Sequence, residues 1–363
     1  ATDTADSGDG TAFSHCLDGT NPSALAEKNC VRQAACQWNG DQYYGNYGYA
    51  LDIGGDIDGD DLLDWVVGAP YEDQMAGDEV SRLDVGVVHI FRGANRADAS
   101  LDGLQILGTV QAANLGYAVT IAPDLNGDGF DDIIAGGRGT HSDALVGVGE
   151  VQILFGKAEG WDSPIQSADL IWQGEQELAR AGSTLAGLGD LNGDGLGELA
   201  IATNQRRTSS SGYEQPGQGL VALFYGREDF TAYTDLNTAS AEISGVGLSD
   251  GAGAAIDAGD VNGDGYRDLI IGAPQGGSNY GRVVVFAGGA TALDGASSLD
   301  DATTQFTGSE SNSNFGYAIA SGDLNADGFD ELVVGSPTSD ANTPEAGMVQ
   351  VFAGQSAFFE AAP

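Results

Sequence analysis

The sequence predicts an all-β fold, a β-propeller of four-stranded antiparallel blades, on three observations. Glycine supplies 57 of the 363 residues, which demands many tight turns and therefore many short elements. An acidic segment recurs five times at nearly constant spacing. Around each recurrence the same short apolar runs follow in the same order, with no helical periodicity.

The recurring segments are GDIDGDDLLDWVVGAP from Gly55, PDLNGDGFDDIIAGG from Pro123, GDLNGDGLGELAIAT from Gly189, GDVNGDGYRDLIIGAP from Gly259 and GDLNADGFDELVVGSP from Gly322. Their leading aspartates, Asp56, Asp124, Asp190, Asp260 and Asp323, stand 63 to 70 residues apart. A minimal four-stranded blade needs roughly 40–45 residues, so each unit also carries long loops.

Within a unit the strands are read in order. The first precedes the acidic loop, as in Gly48-Tyr49-Ala50-Leu51-Asp52-Ile53 or Gly316-Tyr317-Ala318-Ile319-Ala320. The second is the β-branched run behind it: Trp65-Val66-Val67, Ile133-Ile134, Leu269-Ile270-Ile271 or Leu332-Val333-Val334. The third is GVVHIFRG, GEVQILFG, GLVALFYG, GRVVVFAG or GMVQVFAG, and the fourth is CQWNG, LQILG, LIWQG, AEISG or TQFTG. Four such strands bounded by turns form a meander, and radial repetition of meanders leaves only short protected edges. CQWNG lies ahead of the first loop, so the expectation is that this N-terminal strand completes the last blade of a five-bladed ring. A larger ring with degenerate blades is the alternative.

The loops follow the pattern D-x-[DN]-x-D-[GD]-x-x-[DE], in which alternating side chains of a tight turn converge on one point. Positions 1, 3, 5 and 9 are Asp56, Asp58, Asp60 and Asp64; Asp124, Asn126, Asp128 and Asp132; Asp190, Asn192, Asp194 and Glu198; Asp260, Asn262, Asp264 and Asp268; and Asp323, Asn325, Asp327 and Glu331. Position 7, occupied by Leu62, Phe130, Leu196, Tyr266 and Phe329, is expected to offer only its backbone carbonyl. Position 6 is Gly129, Gly195, Gly265 and Gly328, as a turn at positive φ requires, with Asp61 in the first loop. Hard oxygen donors in a flexible loop suit calcium (Ca2+), one ion per loop, better than magnesium, which demands a rigid octahedron and keeps its waters. An EF-hand is excluded, because position 12 is Val67, Ala135, Ile201, Ile271 or Val334 rather than a bidentate Glu. Asp, Asn and Gly also make good turns without metal, but five loops in register crowd carboxylates that would repel one another unless a cation held them.

Charge and composition narrow the function. The net charge of −41 comes from 54 acids against 13 bases, and the only lysines are Lys28 and Lys157. Such a surface repels phosphates and anionic headgroups, so nucleic acid is not an expected partner and no apolar run suggests membrane insertion. Residues 1–12, ATDTADSGDGTA, read as a flexible acidic linker, 13–35 as a cysteine-containing cap, and 36–363 as the propeller. Cys16, Cys30 and Cys36 allow at most one internal disulfide, Cys16 to either Cys30 or Cys36, and no CxxC pair supports a zinc site.

With loops and flanks in hand, the chain resembles the FG-GAP repeat family, known from the integrin α-chain propeller. The first element of that motif stands at Phe315-Gly316, with Tyr47-Gly48 and Leu115-Gly116 as variants. The second is intact at Gly68-Ala69-Pro70 and Gly272-Ala273-Pro274 and near-intact at Gly335-Ser336-Pro337, whereas Ala181-Gly182 and Ala202-Thr203-Asn204 depart from it. The resemblance covers about residues 36–358. It implies calcium in hairpin loops on one face, partners on the opposite face, and commonly seven blades, against the five units counted here. Aromatic rings grip a basic side chain of the partner subunit in integrins; the matching positions, Tyr47, Leu115, Ala181, Ala252 and Phe315, are only partly aromatic, so that partner is not carried over. The resemblance and the polar start point to a bacterial secreted or surface relative.

The expected function is an extracellular, cell-surface adhesion or ligand-binding module for a protein or glycan, not an enzyme. His15, His89 and His141 have no motif partner, and the patterned carboxylates are committed to metal. The insertion after Arg206-Arg207, SSSGYEQPGQG, reads as a solvated loop. The alternatives are a secreted lyase or hydrolase acting on polysaccharide, since propellers host such chemistry, and a surface spacer that binds nothing.

Overall fold

The computed structural model describes residues 39–359 apart from 41, 77–78, 94–103, 140–146, 162–164, 166, 175–178, 204–206, 209–213, 216, 291–292, 294–295 and 341–344. The linker, the cap, all three cysteines, His141 and residues 36–38 of the expected closing strand lie outside the described residues.

Among the described residues, four four-stranded antiparallel sheets and one three-stranded sheet follow one another along the chain, as blades of a propeller. The first comprises Ala50–Gly55, Asp64–Ala69, Val87–Phe91 and Leu104–Leu107. The second runs through Leu115–Ala122, Asp132–Gly137, Glu150–Leu154 and Leu170–Gln173. Thr184–Gly189, Glu198–Thr203, Leu220–Phe224 and Ala241–Ser244 make the third, and Ala255–Gly259, Asp268–Ala273, Arg282–Phe286 and Thr304–Thr307 the fourth. The last has Ala318–Gly322, Glu331–Ser336 and Met348–Phe352. Each acidic loop joins a first strand to a second, as the repeat predicts. Part of the insertion expected as a loop instead pairs as a small hairpin, Arg207–Thr208 with Glu214–Gln215.

Apolar side chains point alternately to the two faces of each sheet, so every blade needs a neighbour on both sides. Four separate cores fill the four boundaries. Ile57, Val66, Val88 and Ile90 of the first blade meet Val119, Ile121 and Ile133 of the second. Trp172 of the second packs beside Phe224 of the third, ring centroids 4.6 Å apart and planes tilted by 30°. Leu191 and Leu223 meet Ile271 and Val284 at the third boundary, and Val261, Val283 and Val285 meet Leu332 and Val334 at the fourth.

The glycine of the GAP element has a steric cause. A Cβ on Gly68, Gly136 or Gly272 would lie 2.0, 2.1 or 2.2 Å from the carbonyl oxygen of Gly116, Gly182 or Gly316 in the next blade. Neighbouring sheets therefore touch backbone to backbone at these points.

The first strands of successive blades also pack on each other, and among the described residues no comparable packing joins the last blade to the first. The outward faces of both end blades are exposed: Leu51 and Ile53 at one end, Val349 and Val351 at the other.

Candidate metal centre

Each loop is organised by its own carboxylates. Asp56 accepts the backbone N–H groups of Gly59, Asp60 and Asp61 at 2.7, 3.1 and 2.8 Å. Asp124, Asp190 and Asp260 do the same for positions 4 to 6 of their loops, and Asp323 accepts from Asp327 and Gly328. The aspartate at position 5 accepts the N–H of position 7 in every loop. The turn reaches positive φ at position 6 throughout, from 64° at Asp61 to 92° at Gly265, which explains glycine in four loops and a tolerated aspartate in the other.

The acid at position 9 opens the second strand and turns inward. Asp64, Asp132, Glu198, Asp268 and Glu331 are all buried. One oxygen of each accepts the N–H of position 2, from Leu191 at 2.6 Å to Val261 and Leu324 at 3.0 Å. Burial first, with crowding by the other loop carboxylates, pushes Asp64 and Asp268 up to about 6 and Asp132 and Glu198 up to about 7.

In the first loop single oxygens of Asp56, Asp58 and Asp64 all lie within 4.8 Å of one another. Oδ1 of Asp58 is buried without a hydrogen-bond partner. Three convergent carboxylates with an orphaned buried oxygen fit a divalent cation with oxygen ligands. Asp58 stands where the other loops have Asn, and Arg92 donates to its other oxygen at 3.0 Å, offsetting the extra charge. In the other loops Asn126, Asn192 and Asn262 turn their amide nitrogens toward position 5 at 2.9 to 3.0 Å. Their side-chain oxygens accept the N–H of the same position 5.

Residues the loop pattern did not single out tie the loops together. Asp131, at position 8 of the second loop, accepts the N–H of Asp56 at 2.9 Å and that of Asp124 at 3.2 Å, bridging two loops. Asp330 repeats the first of these contacts on Asp260 at 2.9 Å. The position 7 side chains of the second to fifth loops, expected to offer only a backbone carbonyl, pack onto the preceding loop, as Phe130 does on Gly59. The signal was an apolar residue recurring inside an acidic loop.

The opposite ends of the strands carry a different chemistry. Tyr49 lies 4.8 Å from Tyr117 and 6.4 Å from Tyr71, centroid to centroid. The Arg138 guanidinium sits 3.9 Å over the Tyr117 ring and donates to the hydroxyl of Tyr117 at 2.7 Å. Burial and the neighbouring Tyr117 hydroxyl push Tyr49 up to about 12. Tyr43 and Tyr44, just ahead of this strand, are exposed. His89, in the third strand as expected, is held between Glu72 at 3.2 Å and Gln105 at 3.3 Å.

Comparison with known proteins agrees with the repeat reading. The FG-GAP repeat family matches residues 252–286 and 315–352. Phosphatidylinositol-glycan-specific phospholipase D of Homo sapiens is 34% identical over 236 residues, 62% of this chain and 26% of that protein. Integrin alpha-5 of Xenopus laevis is 32% identical over 254 residues, 67% of this chain and 21% of that protein. Integrin alpha-V of Gallus gallus is 32% identical over 237 residues, 62% and 20%. The chain thus spans about a quarter of the length of these relatives or less. Among solved structures, a rhamnogalacturonan lyase of Bacillus licheniformis aligns over 80% of this chain and 57% of that one at 12% identity, with a TM-score of 0.33, too loose to support any conclusion. Among the described residues no helix is long and apolar enough to cross a membrane. The chain is an FG-GAP repeat protein of the integrin-like β-propeller kind.

Proposed function

We propose that this chain is an extracellular binding module, a propeller whose blades are held at one end by calcium and whose other end meets a protein or glycan ligand. The observation that carries the reading is the convergence of Asp56, Asp58 and Asp64 around one point, in a hydrogen-bonded frame that four further loops repeat. Calcium at each loop would be bound by the oxygens of positions 1, 3, 5 and 9 and by the carbonyl of position 7. It supplies positive charge where buried carboxylates otherwise repel. The chain's own residues shape the turn, desolvate the acid at position 9 and bridge one loop to the next through Asp131. On the far side, the exposed rings of Tyr43, Tyr44 and Tyr49 offer flat apolar surface with hydroxyl handles, suited to sugar rings or protein side chains.

A polysaccharide-acting enzyme and an inert spacer are the competing readings. Similarity to a phospholipase D covers 26% of that protein, and His89 is occupied by Glu72 and Gln105.

The test is thermal melting with and without a calcium chelator, followed by glycan-array and cell-binding assays on the calcium-loaded protein. Even one site at hundredfold saturation contributes about 2.7 kcal/mol, so chelation should lower the melting temperature strongly. Unchanged melting rejects structural calcium. Binding to neither glycans nor cells, with turnover of acidic polysaccharide, favours the enzyme.

A further inference from the structure

Within the nine-residue loops only position 8 ranges from anion to cation: it is Leu63, Asp131, Gly197, Arg267 and Asp330 in turn. In the second to fifth units this residue stands against the residue just ahead of the preceding loop's leading aspartate. A Cβ added to Gly55 would lie 3.1 Å from Oδ2 of Asp131, and one added to Gly259 would lie 2.8 Å from Oδ2 of Asp330. One added to Gly189 would lie 2.5 Å from Cδ and 3.1 Å from Nε of Arg267. At the second boundary the small partner is reversed. Pro123 stands ahead of Asp124, and a Cβ on Gly197 would run into the Pro123 carbonyl oxygen. Each boundary thus keeps a glycine that lets position 8 lie against the loop behind it.

The side chain placed there lies between two loops. Asp131 accepts the N–H of Asp56 in the first loop and of Asp124 in the second. Asp330 accepts the N–H of Asp260. Arg267 cannot accept. Its stem covers Gly189, directly ahead of Asp190, and its guanidinium donates to the carbonyl of Ala258, two residues ahead of Asp260. Asp257, whose acidity Arg267 strengthens, is engaged by the N–H and hydroxyl of Ser321 in the fifth blade at 2.6 and 2.8 Å. The first and second loops therefore border a position 8 carboxylate, the fifth carries one, and the fourth lies between Arg267 and Asp330. The third borders Arg267 with only Gly197 at its own position 8. Arg92 is also a cation beside a loop, but it is paired with Asp58, a carboxylate that the other loops replace by Asn.

The ligand positions themselves do not set the third loop apart. It shares Asp, Asn, Asp and Glu at positions 1, 3, 5 and 9 with the fifth. In both, the apolar plug at position 2 donates its N–H to the inward glutamate, Leu191 to Glu198 at 2.6 Å and Leu324 to Glu331 at 3.0 Å. The amides of Asn192 and Asn325 donate to the same glutamates at 3.3 and 3.2 Å. What differs is the neighbouring charge. A single positive charge about 10 Å from a divalent ion, in surroundings between protein and water, weakens its binding about tenfold.

Resting on the calcium reading above, we propose that Arg267 makes the third loop the weak calcium site of the five. Its ion binds last and leaves first, exchanging at calcium levels that keep the other four loops filled. Position 8 of the following blade is thus an affinity-setting residue for a loop to which it contributes no ligand.

The experiment is calcium titration calorimetry on the full, dialysed chain at low ionic strength, with circular dichroism on every sample. It compares the wild type with Asp194→Ala, Arg267→Gln and Arg267→Lys. The wild type should bind four ions tightly and one about tenfold more weakly. Asp194→Ala should lose the weak step and keep the four tight ones. Arg267→Gln should tighten the weak step about tenfold. Arg267→Lys keeps the charge while losing the planar fork, so its weak step should stay. Five ions of equal affinity in the wild type overturn the proposal, as does a weak step that survives Asp194→Ala or is unmoved in Arg267→Gln. A lysine variant that behaves like the glutamine one also overturns it, as does loss of the folded spectrum in Arg267→Gln, since either makes the arginine a structural residue. A wild type that binds no calcium overturns the calcium reading together with this proposal, whereas bound ions without these shifts overturn this proposal alone.

Discussion

The loop that begins at Asp124 and the loop that begins at Asp323 fold to one internal frame from nearly the same residues, yet their surroundings differ. In both, the leading aspartate gathers N–H groups of the turn, and a buried acid at position 9 anchors the N–H of position 2. But Leu125 is fully buried under the third blade, while Leu324 is 68% exposed. The ligand frame is thus local, written into nine consecutive residues. The plug beneath it depends on a blade some seventy residues further on, so a loop can keep its geometry while losing the packing that fixes it to a neighbour.

That contrast can be broken by two matched substitutions. Leu125→Ala removes a fully buried side chain and should cost about 2–5 kcal/mol. Leu324→Ala at the equivalent position should change stability by no more than about 0.5 kcal/mol. Chemical denaturation of dilute, calcium-loaded protein measures both. Similar costs at the two positions would show that the last face is covered within the chain.

Acidity sharpens the comparison with a smaller effect. In the metal-free chain burial holds Asp132 and Glu198 at about 7, and Asp64 and Asp268 at about 6, above the ordinary carboxylate range. Between that range and about 7 the native state binds more protons than the unfolded chain, so metal-free stability falls as pH rises through this window. Calcium bound as proposed would need the ionised forms and would displace those protons, so its stabilisation would grow over the same window. Melting curves of chelated protein at about pH 5 and pH 8 should therefore favour the lower pH, and added calcium should reverse the order. A chelated protein that melts higher at the alkaline end contradicts the buried-acid reading.

Much of this was legible in the sequence because repetition multiplies a weak signal. One Asp-Asn-Asp-Gly turn says little, but five in register, each flanked by the same apolar runs, specify the strands, the loops and an acid at position 9, whose burial they do not announce. What stayed hidden was whatever depends on two units at once. Phe130 reads as a spacer within its own loop, and its contact with Gly59 exists only between blades. The glycine of Gly68-Ala69-Pro70 reads as a motif letter, whereas its cause is the carbonyl of Gly116 in the next sheet. Arg92 lies 34 residues from Asp58 and carries no pattern to join them. The exposed ends were invisible for a related reason: the end blades keep interface residues, so their sequences look like interior ones.

The central claim, that the loop carboxylates converge on calcium, is most directly tested by counting bound ions. The dialysed wild type and an Asp264→Ala variant should be compared by calcium titration calorimetry, with metal content measured on the same samples. The account predicts one ion for each of the five loops in the wild type and one fewer in the variant, which has lost a ligand only from the fourth loop. A wild type that binds no calcium, or a variant that binds as many ions as the wild type, would contradict it.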